Sequence, residues 1–321
     1  MNGKSFAAAA SPVLAPLFIL CAGTVMSGAA AGHGLVGKRF FPATLTTEDP
    51  FVADELSLPT LSGRKMPASG DEPAATESAF SADITKRVTE NFGIGFGASY
   101  LKVKPGGEAA ERGFDNLELG IKYQFYRNDE RESIASVGVD WDIGGSGSKR
   151  VGAEPFSTIT PALFFGKGFG DLSPDAKFLR PIAVTGQLGI GFPTRSSTTT
   201  VGSDGETGVE RNPHVLQWGF AVEYSFPYLQ SFVQDVGLAA PFDRRIPVVE
   251  IAMSTAHERG ASGTTGTINP GIIWAGTYFQ LAAEAQIPVN KASGRHTGWI
   301  VQLHFYLDDL FPSSLGRPLF R

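Results

Sequence analysis

The sequence predicts an all-β protein: a transmembrane, antiparallel up-and-down β-barrel of about twelve strands, ten to fourteen, behind a cleaved signal peptide. Three observations carry this. The chain opens on an export segment, apolar residues recur at every second position along unusually long stretches, and short and long connections alternate between those stretches.

The N-terminus reads MNGKSFAAAASPVLAPLFILCAGTVMSGAAAGHG. Lys4 gives a weakly positive start, Val13 to Met26 is apolar, and Ala29 and Ala31 form a small-x-small cleavage site. Residues 1–31 are therefore expected to be removed as a signal peptide, and Gly32 becomes the first mature residue. The single Cys21 lies inside the segment, so the mature chain enters an oxidising compartment with no disulfide to stabilise it. After Ala31 no apolar run approaches the ~20 residues of a spanning helix. The exported chain is then either soluble or crosses a membrane as a closed barrel, which satisfies every backbone group in lipid without helices.

Period-two alternation then fills the chain. In FDNLELGIKYQFY, Leu117, Leu119, Ile121, Tyr123 and Phe125 share one face, and Glu118, Lys122 and Gln124 share the other. In IASVGVDWDIG, Val137, Val139 and Trp141 oppose Asp140 and Asp142. VLQWGFAVEYSF sets Trp218, Phe220 and Val222 against Glu223, while PVVEIAMST and TYFQLAAEAQIP place Glu250 and Glu284 on the polar face. TGWIVQLHFYLDD sets Trp299, Val301, Leu303 and Phe305 against Gln302, His304 and Tyr306. The pattern gives strands at 51–61, 76–88, 91–104, 113–127, 133–145, 157–168, 179–193, 214–226, 247–257, 266–276, 277–289 and 297–308. Most run to about 11–15 residues, beyond the soluble mode and long enough to cross a bilayer at a tilt.

The connections split into two sets. Loops near 62–75, 105–112, 146–156, 194–213, 258–265 and 290–296 are rich in Gly, Ser, Thr and charge, as extracellular loops are. The intervening turns are short, except for PYLQSFVQDVGLAAPFDRRI, which is expected to hold a short helix. Aromatic residues such as Tyr100, Trp141, Trp218 and Trp299 fall at one set of strand ends, and Phe125, Tyr224, Trp274 and Phe305 at the other, where a membrane–water girdle belongs. The expected organisation is residues 32–50 as a periplasmic segment or plug, 51–308 as the barrel, and 309–321 as a periplasmic tail.

The chemistry is that of a lumen. Glu77, Asp83, Glu118, Asp140, Asp142, Glu223, Glu250 and Glu284 face inward against Arg87 and Lys122. Together with His304, the residues Glu118, Lys122, Asp140, Asp142, Glu223, Glu250 and Glu284 are the lumen candidates. An excess of carboxylate favours cations and polar solutes, so Glu223→Gln or Glu250→Gln is expected to weaken a cation preference. The plainer reading pairs these carboxylates with loop arginines such as Arg195 and Arg211, or has them simply solvate a wet interior. The net charge of −5 offers no basic stripe for nucleic acid. No G-x-S-x-G elbow occurs, the sequence reads as a non-enzyme, and no cofactor is expected. His214, His257 and His296 gather near the outer rim without a paired ligand motif, so no metal is expected either. GIGFGAS and FGKGFG lie in or at the ends of strands with no helix following, and read as glycines relieving crowding.

HGLVGKRFFPATLTTEDPFVADELSLP and QLHFYLDDLFPSSLGRPLF, with the strand ladder between them, resemble a group of proteobacterial outer-membrane proteins. That group is distantly similar to the barrel family named for phenol meta-pathway degradation, whose members are taken to be channels for aromatic compounds. The resemblance implies a channel for small solutes such as aromatic compounds, and with the acidic lumen the reading is a passive or gated channel for aromatic or cationic solutes. The other reading is a closed structural barrel acting through its extracellular loops. The closing strand, with His296, Gly298, Val301, Leu303 and Phe305, resembles the signal read by the barrel-insertion machinery, although a tail follows it here. Expected partners are therefore that machinery, outer-membrane lipid and lipopolysaccharide, and a small-molecule solute, with no nucleic acid.

Overall fold

The computed structural model describes residues 34–68, 73–201, 207–257 and 263–320. Met1–Ala31 separates from Gly32–Arg321 as its own unit, and the expected signal peptide lies outside the described residues. Among the described residues no helix is long and apolar enough to cross a membrane.

Twelve strands form the wall: β1 (Glu55–Met66), β2 (Ala75–Arg87), β3 (Phe92–Pro105), β4 (Leu117–Asn128), β5 (Ser133–Ile143) and β6 (Thr158–Gly168). They continue with β7 (Ile182–Pro193), β8 (His214–Tyr224), β9 (Arg245–His257), β10 (Gly263–Ala275), β11 (Phe279–Pro288) and β12 (Gly298–Tyr306). Each pairs antiparallel with its sequence neighbours, and β12 pairs back onto β1, so the sheet closes with no free edge. Closure satisfies the backbone that an open sheet would leave bare in lipid.

Side-chain exposure inverts the soluble pattern. Ile121, Leu188, Leu281 and Trp299 on the outer face are each nearly half exposed, whereas inward Glu250, Asn269 and Gln280 are 0 % exposed. An apolar outside and a polar inside are what lipid selects. Outward prolines interrupt the ladder locally. The β6–β7 pairing skips from Ala162–Gly189 to Ile159–Phe192 around Pro161, which has no N–H to donate.

The first and last described stretches, with Val36 and Phe41 in one and Leu319 and Phe320 in the other, lie at the end with the shorter connections, the turn end, opposite the loop end. Ser225 caps a helical turn over Phe226–Tyr228, its Oγ accepting the Tyr228 N–H, and a wide turn continues through Leu229–Val233. This is the helix expected in the one long turn. At the loop end, the stretch read as loop 194–213 contains a hairpin of Ser197–Val201 and Thr207–Arg211, with Asn212 bridging to Arg195 and Thr198. The first strand begins at Glu55 rather than at 51 and runs on to Met66. Residues 51–54 alternate poorly because they belong to a segment inside the barrel. The register also shifts between Ser57 and Thr60, which breaks the period-two signal. After β12 a short helix, Leu307–Leu310, leads to a tail that folds back on the β2–β3 turn, where Leu319 and Phe320 N–H donate to the Arg87 and Val88 carbonyls.

Candidate functional site: the barrel lumen

Residues 34–54 run inside the wall. The segment starts as a hairpin, Leu35–Val36 against Arg39–Phe40, at the turn end. Val36 and Phe41 pack there on Ile134 and Ala183. Arg39 is fully buried, with Nε donating to Glu132 Oε2 at 3.1 Å, Nη1 to the Pro181 carbonyl at 2.9 Å, and Nη2 to the Arg180 carbonyl. Its guanidinium lies 3.8 Å from the Tyr228 ring centroid. A buried guanidinium is tolerated when its donors are filled in this way. Burial in this nest pushes the Tyr228 hydroxyl up to about 12, with the Glu132 carboxylate adding to the rise.

Beyond the hairpin the chain crosses the lumen. Gln280 of β11 holds Ala43 through both backbone groups, donating to its carbonyl at 2.6 Å and accepting its N–H at 3.2 Å. Glu250 of β9 accepts the backbone N–H groups of Leu45, Thr46 and Thr47 at 2.6, 2.9 and 2.6 Å, and both threonine hydroxyls at 2.7 and 2.9 Å. Asn269 of β10 donates to Thr46 Oγ1 at 2.8 Å. On the far side, the Glu48 carboxylate pairs with Lys122 of β4 at 2.6 Å, and the Glu48 N–H donates to Gln187 of β7 at 2.7 Å. Lys122 also donates to the Asp49 carbonyl at 2.7 Å, and Ser136 of β5 donates to the Pro50 carbonyl. Asp54 then ties the segment to β2 through Lys86 and Arg87, at 2.7 and 2.9 Å. Strands on opposite sides of the barrel therefore hold one crossing loop.

Inward glycines make the room. A Cβ on Gly166 would meet Pro50 Cγ at 3.2 Å and Phe41 Cε1 at 3.4 Å, and one on Gly219 would meet Thr47 Cγ2 at 2.8 Å. At Gly168 it would meet Arg39 Nε at 2.7 Å. The glycines of FGKGFG thus relieve crowding by the inserted segment and its anchor, a sharper reason than strand curvature.

The lumen candidates divide into two groups. Glu223, Glu250, Glu284 and His304 are all buried. Glu284 folds over Gly271, and His304 Nδ1 shares a hydrogen bond with Ser57 Oγ at 2.9 Å, its Nε2 3.4 Å from Glu55. Glu118, Asp140 and Asp142 sit on β4 and β5, where register aligns Asp83, Gly97, Glu118 and Asp142 across four strands. Asp83 Oδ1 and Glu118 Oε2 lie 2.8 and 3.4 Å from where a Cβ of Gly97 would stand, and Asp140 Oδ1 lies 2.9 Å from that point on Gly120. Asp83 and Glu118 are exposed although they face inward, so water reaches this wall. Lys122 stands between the groups, bound to the crossing loop.

The expected pairing of the carboxylates with Arg195 and Arg211 is not what the described residues show. Glu250 is held by the chain's own N-terminal segment, Glu77 by Arg64 at 2.8 Å, and Asp142 by Asn116 at 3.0 Å. Arg39 and the partnerships of Gln187 and Gln280 with the segment went unread, because a crossing loop leaves no periodic trace. The nearest signal was the hydroxyl-rich run ATLTTEDP, which has too many short polar groups for a strand. His214 and His257 face each other across β8 and β9, but among the described residues no group of three or more metal-ligating side chains gathers.

No protein-family model matches the sequence, and no curated protein is significantly similar to it. Solved structures do match. The COG4313 outer membrane channel from Pseudomonas putida F1 aligns with a TM-score of 0.54 at 10 % identity, over 81 % of this chain and 97 % of that one. The fold is that of an outer-membrane β-barrel. Weaker likenesses include the KdgM porin, with a TM-score of 0.45 at 12 % identity over 78 % of this chain and 98 % of that one. The transport unit of the autotransporter AIDA-I from Escherichia coli gives 0.48 at 12 % identity, over 84 % and 95 %.

Proposed function

We propose that this barrel is a gated outer-membrane channel for small cationic or polar solutes, aromatic ones among them. On this reading residues 34–54 are the plug, and the acidic wall of β2–β5 sets the charge preference. The observation that carries the reading is the Glu250 clasp. One buried carboxylate gathers three backbone N–H groups and two hydroxyls of a loop crossing the lumen. A permanent core does not need such a device, because apolar packing would hold it. A polar clasp can exchange its partners for water when the loop leaves. The fold likeness to outer-membrane channels and the resemblance to the phenol meta-pathway family support the same class, the second pointing toward aromatic solutes.

The test is a planar-bilayer recording under a salt gradient, comparing the mature chain with a form lacking residues 34–49. Rare, small conductance steps in the intact chain and large, cation-leaning steps in the truncated one support a gated channel. Equal silence in both, with correctly folded barrel, overturns it. That outcome favours a closed barrel acting through its extracellular connections, a reading for which the ordered Ser197–Arg211 hairpin speaks.

A further inference from the structure

The loop end of β1 carries a second feature, outside the lumen. A groove of about 570 Å³ opens between the ends of β1 and β2 and the connection from β11 to β12. Lys65, Lys291, Arg295 and His296 line it together with Met66, and no described carboxylate does. All four basic side chains are exposed. Lys65, Lys291 and Arg295 form no ion pair with a described residue. Their neighbour Arg64 points the other way and has its carboxylate, Glu77, at 2.8 Å. Adjacent residues on opposite faces of β1 thus differ: the inward cation has its carboxylate, and the outward one pairs with no described residue.

The outer face fixes the level of the groove. Climbing β1, Leu61 pairs with Val301, Gly63 with Trp299, and Lys65 with Thr76 of β2. The Trp299 indole lies over Gly63, its Nε1 2.7 Å from where a Cβ would stand, and it is 49 % exposed. Apolar side chains give way to an interfacial indole, and the next outward position is Lys65. Two residues of a tilted strand rise about 5 Å along the membrane normal. Lys65 therefore stands one step above the indole girdle, where headgroups rather than acyl chains are found.

We propose that this groove binds the phosphate groups of a phosphorylated glycolipid in the outer leaflet. Each phosphate offers several acceptor oxygens and negative charge. Arginine meets it with a two-pronged donor, and the lysines meet it as point charges. Met66 and the alanines of the groove floor supply apolar contact for the lipid side of the headgroup. Among the described residues the four basic groups repel one another, and an anion removes that cost.

The test uses the full mature chain in detergent, with binding of individual lipids read by native mass spectrometry. The probes are diphosphorylated lipid A, its fully dephosphorylated form and inorganic phosphate. The comparison protein is the triple variant Lys65→Gln, Lys291→Gln, Arg295→Gln, with folding checked by heat-modifiable gel mobility. The expected result is at least tenfold preference of the wild type for the diphosphorylated lipid, lost in the variant and weakened by raised salt. Equal binding of the dephosphorylated lipid overturns the proposal, as does an unchanged preference in the folded variant. Inorganic phosphate matching the lipid in affinity also overturns it, since the groove would then be a free-anion site. If the variant fails to fold, the wild-type preference between the two lipids still decides.

Discussion

Two walls of the lumen carry the same kind of residue and use it in opposite ways. On β8, β9 and β11, Glu223, Glu250 and Glu284 are shut away from solvent, and Glu250 has become an acceptor for the chain's own backbone. On β2, β4 and β5, Asp83, Glu118 and Asp140 stand over inward glycines, Asp142 accepts from Asn116, and the first two are reached by water. An inward carboxylate in a barrel is therefore not one functional class. Its role depends on whether something within the chain lies across it, and the strand pattern alone does not say.

The largest effect should come from breaking the covered wall. Glu250→Ala leaves the N–H groups of Leu45, Thr46 and Thr47 without their acceptor, each worth about 1–3 kcal/mol when left unsatisfied in a buried place. Lumen water absorbs part of that, so a net loss of about 3 kcal/mol is expected, roughly a hundredfold shift away from the docked segment. Hydrogen exchange at residues 43–49 should speed up, and channel openings should become frequent. Slow exchange persisting in the variant would show that Arg39 and Gln280 hold the loop without Glu250.

Next comes the exposed wall, tested in that opened background. Glu118→Gln with Asp140→Asn should lower the cation-to-anion permeability ratio by about twofold or more. Glu223→Gln, although its residue looks equivalent in the sequence, should leave the ratio unchanged. This reassigns the expectation that Glu223 and Glu250 set selectivity. If Glu223 moves the ratio as much as Glu118, the division between the walls is wrong.

A third substitution probes the fit between wall and segment. At Gly166→Val the new side chain meets Ile134 at 2.9 Å, Pro50 at 3.2 Å and Phe41 at 3.4 Å. Overpacking of this kind costs about 1–3 kcal/mol. Two of the three clashing groups belong to the inserted segment, so removing residues 34–50 should relieve most of the loss of thermal stability. Equal destabilisation with and without the segment would place the clash in the barrel wall.

These outcomes also mark what could be read from the sequence. Strand number, connection pattern and the lipid-facing set follow from period two, because lipid on one side and water or polar contacts on the other impose a strict alternation. The ends of the first strand did not follow, since the register shift near Ser57 and the join to an interior loop interrupt the period. The alternation sets Glu118, Lys122, Glu250 and Glu284 on the polar face, each opposite an apolar neighbour. Partnership was not legible, because Glu250 and Leu45 are 205 positions apart and no local pattern links them. Arg39 was hidden for the same reason, its carboxylate lying 93 positions away.

The smallest effect concerns the turn-end anchor, which differs from the clasp by stacking a cation on a ring instead of gathering N–H groups on a carboxylate. Tyr228 ionises at about 12 in the folded chain, burial being the main cause and Glu132 the second. A free tyrosine ionises near 10. The folded value is raised, so the stabilising contribution is fully present below about pH 10 and is lost as the pH rises through about 12. Ultraviolet titration of the wild type against Tyr228→Phe should isolate one phenol with a midpoint near 12. A midpoint near 10 would mean that the ring is solvated and the hairpin at Arg39 loosely seated. The gate would then rest on Glu250 and Gln280 alone.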